Sequence, residues 1–287
     1  MKRIDLPIGV FDSGVGGLTV LDALHRRLPG EDLLYLGDTA RVPYGTRAPG
    51  TVVRYAHRVA GHLVRRGVKA IVIACNTATT WALDALEGAA APLGLPVIGV
   101  IAPGVERALS ETRTDRVAVI GTEGTIRGGA YERHLLAARP GIQVRSVPCP
   151  LFVSLAEEGW TDGPIARLTA ERYLAPLRRP GTAPDTLILG CTHYPLLRGV
   201  IADALPGVHL IDSATAAADA TASSLSEANL LRARSTGGTT RFLVTDHADR
   251  FRRVGARFLQ HPPEPVELVD LSDADDAALP HPLEASA

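Results

Sequence analysis

Short apolar runs rich in β-branched residues alternate along the chain with longer stretches in which apolar residues recur every three or four positions. Each short run ends in a turn rich in glycine or threonine. Short apolar runs bounded by such turns predict buried strands, and the three-to-four spacing predicts helices. The alternation of the two predicts an α/β protein with mainly parallel sheets flanked by helices.

The boundaries follow from the same pattern. The predicted strands are residues 8–11, 32–36, 70–74, 97–100, 116–120, 143–147, 186–189 and 208–211. The predicted helices are residues 18–28, 51–66, 79–89, 103–110, 131–138, 164–177 and 214–234.

The order of these elements repeats. A strand and polar turn at Asp12 precede a strand that ends at Cys75, and a strand and polar turn at Thr122 precede a strand that ends at Cys191. The repeat predicts two pseudo-symmetric lobes with the active site in the cleft between them, because ligands bind beyond the carboxyl ends of parallel strands.

We expect a discontinuous first lobe, residues 1–100 with 210–270, and a second lobe, residues 101–209. An acidic, alanine-rich composition predicts a disordered tail over residues 271–287, and residues 267–270 are compatible with a short edge strand.

The composition limits the classes of partner that the protein is expected to bind. The 30 basic and 31 acidic residues give a formal net charge of −1, which disfavours nucleic acid or an anionic membrane as a partner. No apolar run approaches the ~20 residues of a membrane-spanning helix, and the first residues lack a signal-peptide pattern. We expect a small-molecule substrate and a cytoplasmic location.

The three cysteines have different contexts. Cys75 and Cys191 each follow an apolar strand and precede polar residues, Asn76-Thr77 and Thr192-His193. A thiol at a helix start is expected to have a lowered pKa. Equivalent positions in two halves are hard to explain by packing alone and predict a functional pair. Cys149, between two prolines, is interpreted as a structural thiol.

Two facing thiols fit few chemistries. A structural zinc site needs about four ligands with close cysteine spacing, disulfide exchange commonly uses C-x-x-C, and a thiol protease needs one cysteine. No such spacing occurs here, so no metal is expected. Inversion at carbon does need two groups, because one base removes a proton from one face and an acid delivers a proton to the other.

The number and positions of the lysines argue against a pyridoxal cofactor. Pyridoxal chemistry requires a lysine Schiff base, and the chain has only Lys2, near the terminus, and Lys69, at the opposite end of its strand from Cys75. No cofactor is expected. The carbanion would be stabilised by polar groups, for which the turn starting Asp12-Ser13-Gly14 offers a hydroxyl and backbone N–H groups at a helix start. Asp12 could alternatively be only a helix cap.

Seven motifs stand out along the chain: GVFDSGVGGLTV, GDTARVPYGTR, VIACNTATT, VIGVIAPGVE, VAVIGTEGTI, PCPLFVSLAEEG and LILGCTHYPLL. With these motifs, the chain from about residue 8 to residue 259 resembles bacterial glutamate racemases, within the aspartate/glutamate racemase superfamily. The resemblance implies a two-lobed pseudo-symmetric fold and cofactor-independent interconversion of L- and D-glutamate, which supplies D-glutamate for peptidoglycan.

The resemblance also implies roles by position. Cys75 and Cys191 correspond to the two catalytic bases, Asp12 to the acid assisting the first, and His193 to the group assisting the second. Glu157 is a further candidate, although a solvated helix face explains it equally well. The implied substrate-binding residues are Asp12, Ser13, Tyr44, Gly45, Asn76, Thr77, Thr192 and His193, with Thr79, Thr122 and Thr125 as additional candidates.

Other functions stay open at this point. The same fold and thiols would serve a racemase for aspartate or another acidic substrate, since one methylene changes binding by only ~1 to 3 kcal/mol. A decarboxylase with a one-base mechanism needs only one thiol, so it does not account for the second cysteine. A non-catalytic amino-acid-binding regulator needs neither thiol. A homodimer is compatible with the resemblance, but nothing in the sequence selects an interface.

Overall fold

The computed structural model describes residues 2–179 and 181–279. Its strands are β1 (Ile8–Asp12), β2 (Leu33–Gly37), β3 (Ala70–Ile73), β4 (Val97–Gly99), β5 (Arg116–Gly121), β6 (Gln143–Pro148), β7 (Thr186–Gly190), β8 (His209–Asp212), β9 (Thr240–Val244) and β10 (Val266–Leu268). Its α-helices are α1 (Leu18–Arg27), α2 (Pro49–Arg65), α3 (Asn76–Ala90), α4 (Ile101–Glu111), α5 (Glu123–Gly128), α6 (Ala130–Ala138), α7 (Leu151–Glu158), α8 (Gly163–Leu174), α9 (Arg198–Ala204), α10 (Ser213–Glu227), α11 (Ala248–Leu259) and α12 (Asp273–Asp276).

Two parallel sheets organise the chain. The first has the order β10-β9-β2-β1-β3-β4 and the second β6-β5-β7-β8. All pairings are parallel. The run β2-β1-β3-β4 has the same order as β6-β5-β7-β8, so the predicted α/β class with two pseudo-symmetric lobes is confirmed.

Helices cover both faces of each sheet, which explains the continuous apolar strands. In β1, Ile8 and Val10 join the apolar cluster on one face of the first sheet, whereas Phe11 joins the cluster on the other. In β5, Val117 and Ala118 likewise belong to clusters on opposite faces. Successive side chains of a strand point to opposite faces, so a strand buried on both faces is apolar throughout.

The lobes are defined by these clusters. From sheet membership and these clusters we assign residues 2–100 and 213–279 to the first lobe and residues 101–212 to the second. We place the return to the first lobe after β8 rather than at the expected residue 210, because β8 pairs with β7 in the second sheet. The sequence pattern did not predict β9 and α11, which complete the first lobe.

The expected disorder after residue 270 is wrong for residues 271–279. Leu271 and Leu279 are buried in the apolar cluster that includes α2, and the Asp275 side chain is fully buried. The carboxylate of Asp275 accepts a hydrogen bond from Arg65 at 2.6 Å and lies 3.1 Å from Nδ1 of His62. These contacts with α2 fix α12, and residues 280–287 lie outside the described part of the chain.

Among residues 2–179 and 181–279, no helix combines the length and apolar character needed to cross a membrane.

Candidate active site

Four strand ends form the floor of the cleft. β1 ends at Asp12, and Cys75 follows β3 as the N-cap of α3. In the second lobe, Thr122 follows β5 as the N-cap of α5, and Cys191 follows β7. These are the carboxyl ends of the central strands of both sheets, where α/β proteins bind ligands.

A cavity of about 250 Å³ lies between the lobes, with a volume suited to a small molecule. The residues predicted for catalysis or substrate binding that line it are Asp12, Ser13, Tyr44, Gly45, Cys75, Asn76, Thr77, Thr122, Thr125, Glu157, Cys191, Thr192 and His193. Thr79 is not among them, because its hydroxyl faces the sheet and donates to the carbonyl of Ile73 at 3.1 Å.

Cys75 is a buried thiol at a helix start. The N–H of Ala78 donates to its Sγ at 3.4 Å, and the thiol lies 3.8 Å from Oγ of Ser13. Burial, reinforced by the nearby Asp12 carboxylate, raises the pKa of Cys75 to about 12. The expectation that a helix start lowers this pKa is therefore wrong, because one N–H donor does not offset the loss of solvent.

Asp12 lies on the Cys75 side of the cavity. Its side chain is buried, and Oδ2 accepts a hydrogen bond from the N–H of Gly14 at 2.9 Å. Burial raises the pKa of Asp12, while His193 and the backbone N–H groups of the turn partly oppose that change. A carboxyl group with a raised pKa can hold or release a proton near Cys75.

Cys191 is the first member of a chain of polar contacts. Its Sγ lies 3.8 Å from Nδ1 of His193, and Nε2 of His193 lies 3.1 Å from Oε1 of Glu157. Burial disfavours the imidazolium, but the contacts with Cys191 and Glu157 outweigh it and raise the pKa of His193 to about 10. His193 therefore carries a proton at neutral pH that it can share with Cys191.

Glu157 is directed into the cleft. Only 13% of its side chain is exposed, so the alternative of a solvated helix face is wrong. Burial raises the pKa of Glu157, but the His193 hydrogen bond and Arg250 more than compensate, so that the net shift is downward.

Two polar residues near the cavity were missed by the sequence interpretation. Asp38 is buried, accepts a hydrogen bond from the Tyr44 hydroxyl at 2.6 Å, and so holds the segment that supplies Gly45. Tyr131 accepts a hydrogen bond from the Asn76 amide at 2.8 Å across the lobes. Asp38 directly follows β2, so the strand-end argument applied to Asp12 could have found it.

The remaining cysteine and Lys69 lie outside the cavity lining. Cys149 is fully buried in an apolar cluster of the second lobe. The Lys69 ammonium contacts Glu31 and donates to the carbonyl of Leu230 at 2.8 Å. Across the described ranges, no three or more His, Cys, Asp or Glu side chains are arranged to hold a metal ion.

Comparisons with known proteins agree with this architecture. A family model described as Asp/Glu/Hydantoin racemase matches residues 8–221. A glutamate racemase of Geobacter metallireducens is 53% identical over 253 residues, covering 88% of this chain and 92% of that protein.

Two solved structures share the fold. One is a glutamate racemase from Francisella tularensis in complex with D-glutamate, with a TM-score of 0.87, 41% identity, and coverage of 94% of this chain and 99% of that chain. The other is an aspartate racemase from Picrophilus torridus, with a TM-score of 0.55, 19% identity, and coverage of 78% and 98%. The second likeness is one of fold alone.

A cleft with a thiol beyond a central strand of each sheet defines the class of protein as a two-lobed α/β protein with paired half-sites. The chain belongs to the Asp/Glu/Hydantoin racemase family. The resemblance inferred from the seven motifs is thereby confirmed.

Proposed function

We propose that this protein is an isomerase that interconverts L- and D-glutamate without a cofactor, using Cys75 and Cys191 as two acid–base groups. The observation that carries the proposal is that the two lobes bring both thiols into the lining of one small cavity. Each thiol has its own assisting group, Asp12 beside Cys75 and His193 beside Cys191.

In the proposed reaction, the thiolate of one cysteine takes the α-proton and the thiol of the other returns a proton to the opposite face. The first sulfur gains a proton and the second loses one, so the two exchange states in each turnover. The reverse reaction then starts from the state that the forward reaction leaves. Asp12 and His193 would restore the original states by accepting and donating these protons.

The carboxylate of the substrate would bind at the helix start beside Cys75. The first N–H groups of a helix have no intrahelical partner and favour anions. Asn76 and Thr77 form the first turn of α3 and line the cavity, as does the Ser13 hydroxyl. Donors in this place stabilise the negative charge that accumulates on the carboxylate when the α-proton leaves.

The α-ammonium group of the substrate has an electrostatic role in this scheme. Without substrate, burial and Asp12 hold the pKa of Cys75 at about 12. A positive charge in the cavity lowers the cost of forming a thiolate there. Substrate binding would therefore prepare the base, and the unliganded protein would keep Cys75 protonated.

We propose glutamate as the substrate, because two glutamate racemases are 53% and 41% identical to this chain over nearly their whole length. The aspartate racemase is only 19% identical. We also propose that the reaction takes place in the cytoplasm and supplies D-glutamate for peptidoglycan synthesis.

The test is incubation of the purified protein with L-glutamate in D2O without added pyridoxal phosphate, followed by optical rotation and by NMR of the α-position. Decay of the rotation to zero, with deuterium entering the α-position, is the expected result. Exchange with L-aspartate and none with glutamate would replace the substrate. Absence of exchange with either acid, together with undiminished ligand binding in Cys75→Ser and Cys191→Ser, would favour a binding protein.

A further inference from the structure

We propose that Arg250, on α11 of the first lobe, is a positioning residue that holds Glu157 against His193 and thereby completes the Cys191 half of the active site only when the lobes are closed. This inference rests on the proposed function. It concerns an element, α11, that lies outside the cavity lining.

The two oxygens of Glu157 have separate partners. Oε1 lies 3.1 Å from Nε2 of His193, and Oε2 accepts a hydrogen bond from Nη2 of Arg250 at 2.8 Å. Glu157 and His193 both belong to the second lobe, whereas Arg250 belongs to the first. Hydrogen bonds between charged groups are shorter and stronger than neutral ones. Because Arg250 holds one oxygen while the other contacts His193, the two contacts together fix the rotation of the carboxylate.

A second contact from α11 reaches His193 itself. The ring of Phe258 lies 5.3 Å from the His193 ring, centroid to centroid, at an interplanar angle of 87°. Phe258 is buried, and positions eight apart on a helix differ by about 80° around its axis, within one broad stripe of its surface. Arg250 and Phe258 therefore hold the Glu157–His193 pair from two points of one helix.

The end of α7 is contacted by the same helix. Gly159 terminates α7 with a φ of 76°, and a Cβ there would lie 3.1 Å from Nε of Arg257. Glu157 is thus held on the last turn of a helix whose end is also packed against α11. This packing limits the movement of α7 relative to the first lobe.

The consequence is a dependence of proton transfer on lobe closure. If the lobes separate, Glu157 loses Arg250 and His193 loses Phe258, while Cys191 and His193 remain together in the second lobe. Closure that completes a catalytic arrangement is a common way to keep an active site inactive until the substrate is enclosed. The contacts of Arg250 and Phe258 make this dependence specific to the Cys191 side, whereas the contacts of Asn76 and Thr77 with the second lobe lie beside Cys75.

The test compares Arg250→Ala with Arg253→Ala, a control on the exposed side of the same helix. We expect kcat to fall about tenfold in Arg250→Ala, which corresponds to one charged hydrogen bond, and to be unchanged in Arg253→Ala. Arg250→Lys should restore part of the loss. Arg250→Gln serves as a second variant should the alanine variant fold poorly.

The isotope effect separates positioning from general loss of structure. With α-deuterated L- and D-glutamate, slower proton transfer at Cys191 raises the primary isotope effect for one enantiomer and lowers it for the other. In a Glu157→Gln background, Arg250→Ala should cause no further loss, because Arg250 acts through Glu157.

If the unsubstituted protein racemises glutamate and Arg250→Ala has the same kcat as Arg253→Ala, the positioning role is wrong and the proposed function stands. A fall in kcat that leaves both isotope effects unchanged, or that adds fully to Glu157→Gln, would do the same. If the unsubstituted protein turns over no glutamate, both the proposed function and this inference are wrong.

Discussion

The hydroxyl of Thr77, on the first lobe, lies 2.9 Å from the hydroxyl of Thr122, on the second. Thr125 adds a contact of 3.0 Å to the same Thr77 oxygen. Both lobes therefore meet directly at the wall of the cavity, beside the helix start that follows Cys75. This contact is one of those that hold the two half-sites at a fixed separation.

Gly16 marks a second place where the two lobes approach closely. A Cβ added there would lie 2.2 Å from Oγ1 of Thr192 and 2.5 Å from the His193 ring. Gly16→Ala should push the second lobe away and lower kcat/KM by about a hundredfold, because misplacement of about 1 Å has that effect on catalysis. Steady-state kinetics in both directions measure it.

The matched control is Gly88→Ala, on the exposed side of α3, where a Cβ meets nothing within 4 Å. It should leave the kinetics unchanged and raise the free energy of unfolding by about 0.5–1 kcal/mol, because alanine favours a helix over glycine. Normal activity of Gly16→Ala would show that the cleft does not require this close approach.

The three cysteines should differ in how strongly their substitution lowers kcat. Cys75→Ser and Cys191→Ser each remove an acid–base group, so each should lower kcat by about 10²- to 10⁴-fold while the circular dichroism spectrum stays native. Racemisation followed by optical rotation provides the measurement.

Cys149→Ser is the control for this pair. The Cys149 thiol contacts the carbonyl of Val147 at 3.6 Å, and a serine hydroxyl can donate to the same oxygen. We expect unchanged kcat. A loss in Cys149→Ser as large as in the other two variants would mean that the assignment of the two bases is wrong.

The raised pKa of Cys75 predicts slow alkylation of the unliganded protein. A thiol is neutral below its pKa, so with a pKa of about 12 the reactive thiolate is a fraction of about 10⁻⁴ at pH 8. The rate of iodoacetamide labelling at Cys75, measured by peptide mass spectrometry, should rise about tenfold per pH unit between pH 8 and pH 10.

Asp12→Asn tests the cause of that pKa. Burial is the larger contribution and remains, but the carboxylate charge is removed, so labelling of Cys75 at a given pH should become faster. A labelling rate that levels off below pH 9 in the unsubstituted protein would contradict the raised pKa.

The docking of α12 should depend on Asp275. Asp275→Ala removes a buried carboxylate that is hydrogen-bonded to Arg65 and contacts His62, and it should lower the free energy of unfolding by about 1–2 kcal/mol, because Arg65 is 46% exposed and can be solvated once its partner is gone. Urea unfolding and limited proteolysis of the C-terminal segment measure the change. Asp273→Ala is the control: that side chain is 97% exposed, and its ion pair with Arg58 is a surface pair, so the effect should be much smaller than that of Asp275→Ala.

Local sequence patterns predicted the parts of the site that depend on strand ends. Cys75, Cys191 and Asp12 follow apolar strands, and parallel strands place such residues at one edge whatever the details of packing. The environment of Glu157 could not be predicted in this way. Its exclusion from solvent depends on α11, which contacts it from the other lobe.

Long-range partners also explain two of the errors. The acidic, alanine-rich composition after residue 270 predicts disorder, but Asp275 has partners on α2 that no local window includes. The pKa of Cys75 depends on how completely the lobes exclude water, which a helix-start pattern does not report. Thr79 is on the expected helix, but it faces the sheet.

The repeated strand order has one more consequence. The backbone is alike on the two sides of the cavity, because Cys75 and Cys191 follow equivalent strands of the two sheets. The surroundings of the thiols are nevertheless unlike, a buried carboxyl group on one side and a protonated imidazole on the other. The difference between the two sides of the cavity is therefore set by a few side chains, on a backbone that is nearly symmetric.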